Sequence, residues 1–126
     1  MNGKKYDLGE RRKYKRYLVK NGAYTINSTK PGLIIDIGIG GLSIHYIDRK
    51  CWPNESFELD IIFGEDDDFR LANVPYNVIS DDVTKTELSN DSLVVKRRSV
   101  EFGDLNEEQL EKLQFFINNN SIQEIC

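Results

Sequence analysis

Two arginines near the N-terminus stand at a spacing that suits recognition of phosphate. Arg12 and Arg16 lie in the basic segment 10–16, with three residues between them and just before the first stretch with strand character. A guanidinium group is planar, donates two hydrogen bonds to a phosphate and also stacks on a nucleobase, whereas lysine supplies only charge. The pair therefore predicts contact with an anionic ligand that contains phosphate.

A second candidate element is the segment 36–41, Asp-Ile-Gly-Ile-Gly-Gly, between two apolar stretches. Glycine permits positive φ and close approach to the backbone, and the Asp36 carboxylate can accept hydrogen bonds from the N–H groups of a guanine edge. Either element alone has an ordinary explanation, as a basic arm or as a turn. Together they are consistent with a guanine nucleotide site, and the glycine patterns of conventional ATP and dinucleotide sites are absent.

The remaining polar residues do not form a catalytic or metal-binding pattern. His45 is the only histidine, and a structural or surface role is expected for it. The acidic run 65–68 lacks the ligand spacing of a calcium loop and is expected to be a solvated hairpin loop. Cys51 and Cys126 show no metal-ligand spacing and are expected to be free thiols, and Trp52 is expected to be a packing residue. We therefore expect neither an enzyme nor a cofactor.

The charge is distributed unevenly along the chain. Residues 1–20 carry eight basic and two acidic side chains, a net charge of +6, and residues 21–126 carry nine basic and nineteen acidic ones, a net charge of −10. A basic arm on an acidic domain can bind a polyanion, a phosphorylated ligand or a membrane surface, or it can pair with the acidic body. The charge pattern leaves these four possibilities open.

Length and hydropathy favour one soluble domain. The 126 residues are 39% hydrophobic and 30% charged, which is sufficient for a single core. No apolar run approaches the roughly 18 residues of a membrane-spanning helix, and residues 1–20 lack a secretory signal. We therefore expect a cytoplasmic protein without membrane insertion.

The elements that must position the candidate site are mostly short strands. Six β-rich segments separated by turn residues predict strands and hence a sandwich or barrel. They are 17–26, 33–37, 42–47, 57–63, 71–79 and 93–102. In the fourth segment Phe57, Leu59, Ile61 and Phe63 alternate with Glu58 and Asp60, with Ile62 as the exception on the outer face, which predicts one buried face. The segment 80–91 is expected to be a polar loop.

The C-terminal segment changes to helical spacing. Apolar residues at 110, 113, 116 and 117 predict one amphipathic helix over about 106–118 that packs on the core. Asn106 followed by Gln109 predicts a capping box at the helix start.

The two motifs and their order resemble the PilZ domain, the bacterial receptor module for cyclic di-GMP. Its motifs are R-x-x-x-R before the first strand and [D/N]-x-S-x-x-G on the barrel. Arg12 and Arg16 match the first motif, Asp36 and Gly41 match the ends of the second, and Gly38 stands where the family usually has serine. The resemblance covers residues 10–117 and implies a six-stranded antiparallel β-barrel with one C-terminal helix, in agreement with the strand count.

The resemblance implies a ligand-binding set that consists of Arg11, Arg12, Arg16, Asp36, Gly38 and Gly41. In this set the arginines at 12 and 16 hold the phosphates and stack on guanine, and the arginine at 11 assists them. Asp36 reads a guanine edge, and Gly41 lets the backbone approach the ligand. The glycine at 38 lacks the family's hydroxyl, and loss of such a hydrogen bond typically costs about 0.5 to 1.5 kcal/mol.

The predicted organisation is a basic arm, residues 1–16, on a PilZ-like barrel, residues 17–126. We expect cyclic di-GMP to draw the arm onto the barrel face that carries Asp36, and a protein partner to sense this change. The partner and its pathway are not specified by the residues.

Two other functions are compatible with the sequence. The first is a degenerate PilZ-like module that binds a protein and no nucleotide, a reading that Gly38 favours. The second is a nucleic-acid binder that uses the basic arm and its tyrosines Tyr6, Tyr14 and Tyr17. The acidic body would repel a nucleic acid polymer, and no recognition motif for one is present, so we do not expect a polymer as partner.

Overall fold

The described residues form strands up to Phe102, then one helix and one last short strand. The computed structural model describes residues 14–26, 30–48, 57–64, 69–84 and 94–125. Within these ranges there are eight strands and one helix. In chain order they are β1 (Arg16–Val19), β2 (Ala23–Ile26), β3 (Gly32–Ile37), β4 (Gly41–Asp48), β5 (Glu58–Phe63), β6 (Phe69–Val83), β7 (Val94–Phe102), α1 (Glu107–Asn120) and β8 (Ser121–Ile125).

Six of these strands close into a barrel. Their order is β2-β5-β6-β7-β4-β3, and β2 also pairs with β3, so the sheet returns to its first strand. β1 and β8 extend the sheet beyond β3, and β1 lies between β3 and β8. All pairings among the described strands are antiparallel. The predicted fold class, a six-stranded antiparallel barrel with one C-terminal helix, is confirmed.

The strands depart most from the prediction at three places. The segment 17–26 forms two strands, because Gly22 adopts a φ of +107° and turns the chain between them. β6 continues to Val83, where it pairs with Lys96, so the start of the predicted polar loop is wrong. β8 follows α1 directly, and Ser121 pairs with Val19. At the end of β6 and in β8, pairing with a strand distant in sequence orders residues that are mostly polar.

The predicted alternation in β5 holds only in part. Leu59 and Ile61 are buried as predicted, but Phe57 precedes the strand and is 76% exposed. Asp60, predicted to face solvent, is buried because the β5–β6 register shifts between Leu59 and Ile61. Its carboxylate accepts from the Arg70 guanidinium at 2.6 Å and from a backbone N–H at 2.9 Å.

The helix α1 begins with the predicted capping box. The Asn106 side chain accepts from the Gln109 backbone N–H at 2.7 Å, and the Gln109 side chain accepts from the Asn106 N–H at 3.0 Å. The Gln109 amide also donates to the carbonyls of Ala72 and Asn73 in β6, which fixes the helix start against the barrel.

The apolar stripe of α1 packs on the barrel core as predicted. Leu113, Phe116 and Ile117 are buried, and the Phe116 ring lies 5.8 Å from the Phe63 ring and 5.0 Å from the Phe69 ring. Leu110, the other residue of the predicted stripe, is partly exposed. In the part of the chain that the structure describes, no helix is long and apolar enough to cross a bilayer.

Candidate functional site

Arg16 of the first predicted motif meets Asp36 of the second where β1 runs beside β3. Leu18 is opposite Asp36, which places Arg16 and Asp36 on neighbouring strands near the same end. The Arg16 Nη1 donates to Asp36 Oδ1 at 2.8 Å, and the side chains are only 12% and 1% exposed. A carboxylate so deeply buried needs a charged partner, because breaking such a pair leaves an uncompensated charge.

A second arginine, which the sequence did not single out, completes this cluster. Arg97 in β7 donates from Nη2 to Asp36 Oδ2 at 2.8 Å, so each carboxylate oxygen accepts from a different guanidinium. Two positive charges and one negative charge leave the cluster with one net positive charge. The basic run at 96–98 was a weak signal for this role, since only the strand order brings Arg97 to Asp36.

A row of polar side chains continues from Asp36 across three further strands. Asp36 is opposite Ser43, Ser43 is opposite Ser99, and Ser99 is opposite Ser80. The hydroxyls of Ser43 and Ser99 are 3.0 Å apart, and Ser43 Oγ lies 3.5 Å from the Arg16 guanidinium. The neighbours of Ser43 in β4, Leu42 and Ile44, are in the core, so this row is on the outer face of the barrel.

Two glycines of the second motif are required by close approach. A Cβ at Gly38 would lie 2.1 Å from the Lys15 carbonyl oxygen, so the backbone before β1 occupies the place where serine would extend. A Cβ at Gly41 would lie 2.1 Å from the Val100 carbonyl oxygen and 3.0 Å from the Arg16 guanidinium. The Gly38 N–H donates to the Gly41 carbonyl at 2.8 Å and closes the turn between β3 and β4. At both positions a side chain would therefore force the neighbouring backbone to shift.

An open groove of about 610 Å³ lies next to the arginine–aspartate cluster. Its lining residues are His45, Ser80, Asp82, Val83, Thr84, Arg97 and Ser99. Burial, and then the positive charge of Arg97, lower the pKa of His45 below its usual value of 6.5. The imidazole is therefore neutral near pH 7, and the guanidinium is the cationic group of the groove.

A second polar cluster lies on the inner face at the other end of β4, β6 and β7. The Tyr46 hydroxyl donates to both Asp81 carboxylate oxygens at 2.7 and 2.8 Å, and Arg98 donates to the same carboxylate at 2.8 Å. Burial and the hydrogen bond to Asp81 raise the pKa of Tyr46. Burial alone would raise the pKa of Asp81, but the hydrogen bonds from Arg98 and Tyr46 lower it below its usual value. This cluster joins three strands and lies apart from the predicted motifs.

The structure brings four of the six predicted ligand residues together, namely Arg16, Asp36, Gly38 and Gly41. The other two, Arg11 and Arg12, lie outside the described residues, as do the thiols at 51 and 126, Trp52 and the acidic run 65–68. Within the described ranges no group of three histidine, cysteine or acidic residues is arranged to hold a metal ion. The ligand role of the six residues stays a prediction.

Comparison with known proteins identifies the architecture. No family model matches the chain, and no curated protein matches it in sequence. Among solved structures it is similar to the PilZ domain with c-di-GMP of YcgR from Escherichia coli, with a TM-score of 0.58 and 18% sequence identity. The similarity covers 86% of this chain and 90% of that one. With its closed six-stranded barrel and terminal helix, the chain has a PilZ-like fold.

Proposed function

We propose that this chain is a regulatory module that binds cyclic di-GMP through the outer barrel face at Arg16 and Asp36. The observation that carries the proposal is the ion pair between these residues, because it joins the two motifs on a PilZ-like barrel. The structurally similar domain of YcgR is described with c-di-GMP, which supports the same ligand class here.

The charge of the cluster suits this ligand. Cyclic di-GMP carries two phosphates, and the Arg16, Arg97 and Asp36 side chains together leave one net positive charge at the barrel surface. Arg11 and Arg12 add two further guanidinium groups from the adjoining arm. Guanidinium groups bind phosphate with charge-assisted hydrogen bonds and stack on guanine.

The proposed mechanism is a conformational switch of the arm. The ion pair with Asp36 holds Arg16 against the barrel at 2.8 Å, and ligand binding breaks it. Arg16 and Arg12 then turn toward the phosphates, and Asp36 keeps Arg97 as a counter-charge, so the buried carboxylate stays paired. The ligand thereby changes the conformation of residues 1–16, and a protein partner senses the new arrangement.

Calorimetric titration with cyclic di-GMP tests the ligand. We expect micromolar or tighter binding, no heat with GTP, and loss of binding in an Arg12→Ala, Arg16→Ala double variant. Arg70→Ala is the matched control, because it removes another arginine–aspartate pair, that of Arg70 with Asp60 at 2.6 Å. Folding of each variant is verified by circular dichroism.

A degenerate module that binds a protein without nucleotide is the second candidate. It is favoured by Gly38, which lacks the family's hydroxyl, and by the absence of room for a Cβ at this position. In the same titration this alternative predicts no heat and no shift in melting temperature up to about 100 µM ligand, a concentration that would reveal weak binding. That result, with folded protein, would contradict the nucleotide proposal.

A further inference from the structure

The groove beside the arginine–aspartate cluster continues the polar face on which the proposed ligand would lie. His45 is opposite Arg97 and Arg97 is opposite Asp82, so these side chains form a second row across β4, β7 and β6. Arg97 belongs to both features, because it lines the groove and donates to Asp36 at 2.8 Å. The volume of about 610 Å³ is within the range of about 300 to 1,000 Å³ that is common for small-molecule sites.

The carboxylates near this face differ in their availability to a ligand. Both oxygens of Asp36 accept from guanidinium groups, and its side chain is only 1% exposed. Asp82 lies in the groove, and its residue is exposed. A carboxylate offers two acceptor oxygens, which match the adjacent N1–H and 2-amino donors on the Watson–Crick edge of guanine.

The other groove residues suit the rest of a purine base. The Arg97 side chain is 45% exposed while its guanidinium stays bonded to Asp36, so its planar group is held in place beside the groove. A guanidinium plane stacks on bases. The hydroxyls of Ser80 and Ser99 line the same groove and can donate to acceptors such as O6 and N7.

We infer that this groove is a guanine-base subsite, in which Asp82 accepts from the N1–H and 2-amino groups and Arg97 stacks on the ring. The inference rests on the proposed function and adds the residues that select guanine over other purines. It separates the tasks of the two aspartates: Asp36 positions the arginines, and Asp82 reads the base.

Base-substituted ligands test this assignment. Cyclic di-GMP, cyclic di-IMP, which lacks the 2-amino groups, and cyclic di-AMP are titrated into the full chain and into Asp82→Asn. We expect the unaltered chain to prefer cyclic di-GMP over cyclic di-IMP by about tenfold or more, and Asp82→Asn to lose that preference. Asp104→Asn, the same substitution at an exposed residue outside the groove, should keep it.

A second variant tests the stacking role of Arg97. Arg97→Lys retains a cation for Asp36 but lacks the planar group, so we expect it to weaken the binding of cyclic di-GMP and of cyclic di-IMP by the same factor.

Two outcomes would contradict these expectations. If Asp82→Asn leaves the binding of cyclic di-GMP unchanged, the subsite is overturned and the proposed function stays intact. Failure of the unaltered, folded chain to bind any of the three nucleotides would overturn both proposals.

Discussion

The backbone around Gly38 decides what a serine, the residue of the PilZ motif, would do at this position. A Cβ at this position would lie 2.1 Å from the Lys15 carbonyl oxygen and 3.2 Å from the Arg16 side chain. A serine would therefore displace the Lys15 backbone and the Arg16 side chain, and Arg16 belongs to the proposed ligand site. Gly38 and the path of the chain into β1 are mutually dependent.

We predict that Gly38→Ser destabilises the protein and does not improve nucleotide binding. Overpacking of this kind costs about 1 to 3 kcal/mol, and urea denaturation measures it. Gly103→Ala is the control, because its Cβ would come no closer than 3.2 Å to the Pro75 side chain. Unchanged stability together with tighter nucleotide binding in Gly38→Ser would contradict this prediction, because it would show that the Lys15 backbone moves away from the new side chain without cost.

His45 reports on the groove because it is the only histidine of the chain. Burial is the larger reason for its lowered pKa, and the charge of Arg97 is the second. We predict that its imidazole proton resonance, followed by NMR, titrates below pH 6.5. Arg97→Met should raise the pKa only part of the way to 6.5, and Arg70→Met should leave it in place. A titration at or above 6.5 in the unaltered chain contradicts the described surroundings.

At the scale of elements, the start of α1 links the helix to the barrel through one residue pair. The capping box satisfies backbone N–H groups at Asn106 and Gln109, and the Gln109 amide bonds to β6. Since the buried stripe of α1 packs on Phe63 and Phe69, the cap also sets how the helix meets the barrel.

We predict that Asn106→Ala lowers the free energy of unfolding by about 1 kcal/mol, because it removes the side-chain acceptor for the Gln109 N–H. Asn106→Ser retains an acceptor and should leave stability nearly unchanged. Chemical denaturation of the three proteins measures the difference. Equal losses in both variants would mean that the amide has another role at this position.

At the scale of the whole molecule, the inner cluster of Tyr46, Asp81 and Arg98 makes stability depend on pH at both extremes. The pKa of Asp81 is lowered in the folded state, so its contribution is present above its usual value of 3.8 and is lost as pH falls through the folded value. The pKa of Tyr46 is raised, so its contribution is present below its usual value of 10.0 and is lost as pH rises.

We predict that Asp81→Asn destabilises the protein at pH 7 and that this loss shrinks as the pH falls from 3.8 toward 2. The loss at neutral pH should be about 1.5 to 3 kcal/mol, the range for hydrogen bonds to a charged group, since Arg98 and Tyr46 both donate to this carboxylate. Urea unfolding at the two pH values measures the change, with Asp104→Asn as the control. A deficit of the same size at pH 2 would show that the charge of Asp81 is not what stabilises the barrel.

Much of the fold was predictable because its signals are local. The segments that became β3, β4 and β7 were apolar and bounded by turn residues, and the helix had both its stripe and its capping box in a short span. Such patterns depend on residues a few positions apart. The positions of Arg16 and Asp36 in the two motifs were likewise apparent, although their meeting at 2.8 Å required the pairing of β1 with β3.

By itself, then, the sequence determined an all-β class, the C-terminal helix and the residue types of the candidate site, and the PilZ resemblance favoured a barrel over a sandwich. Only the tertiary structure decided that Arg97, 61 residues from Asp36, shares its carboxylate, that Asp82 faces the groove, and that β8 continues the sheet. The physical reason is that the neighbours of a strand residue are set by strand order and register. Both depend on how the whole barrel closes, so no short stretch of residues encodes them.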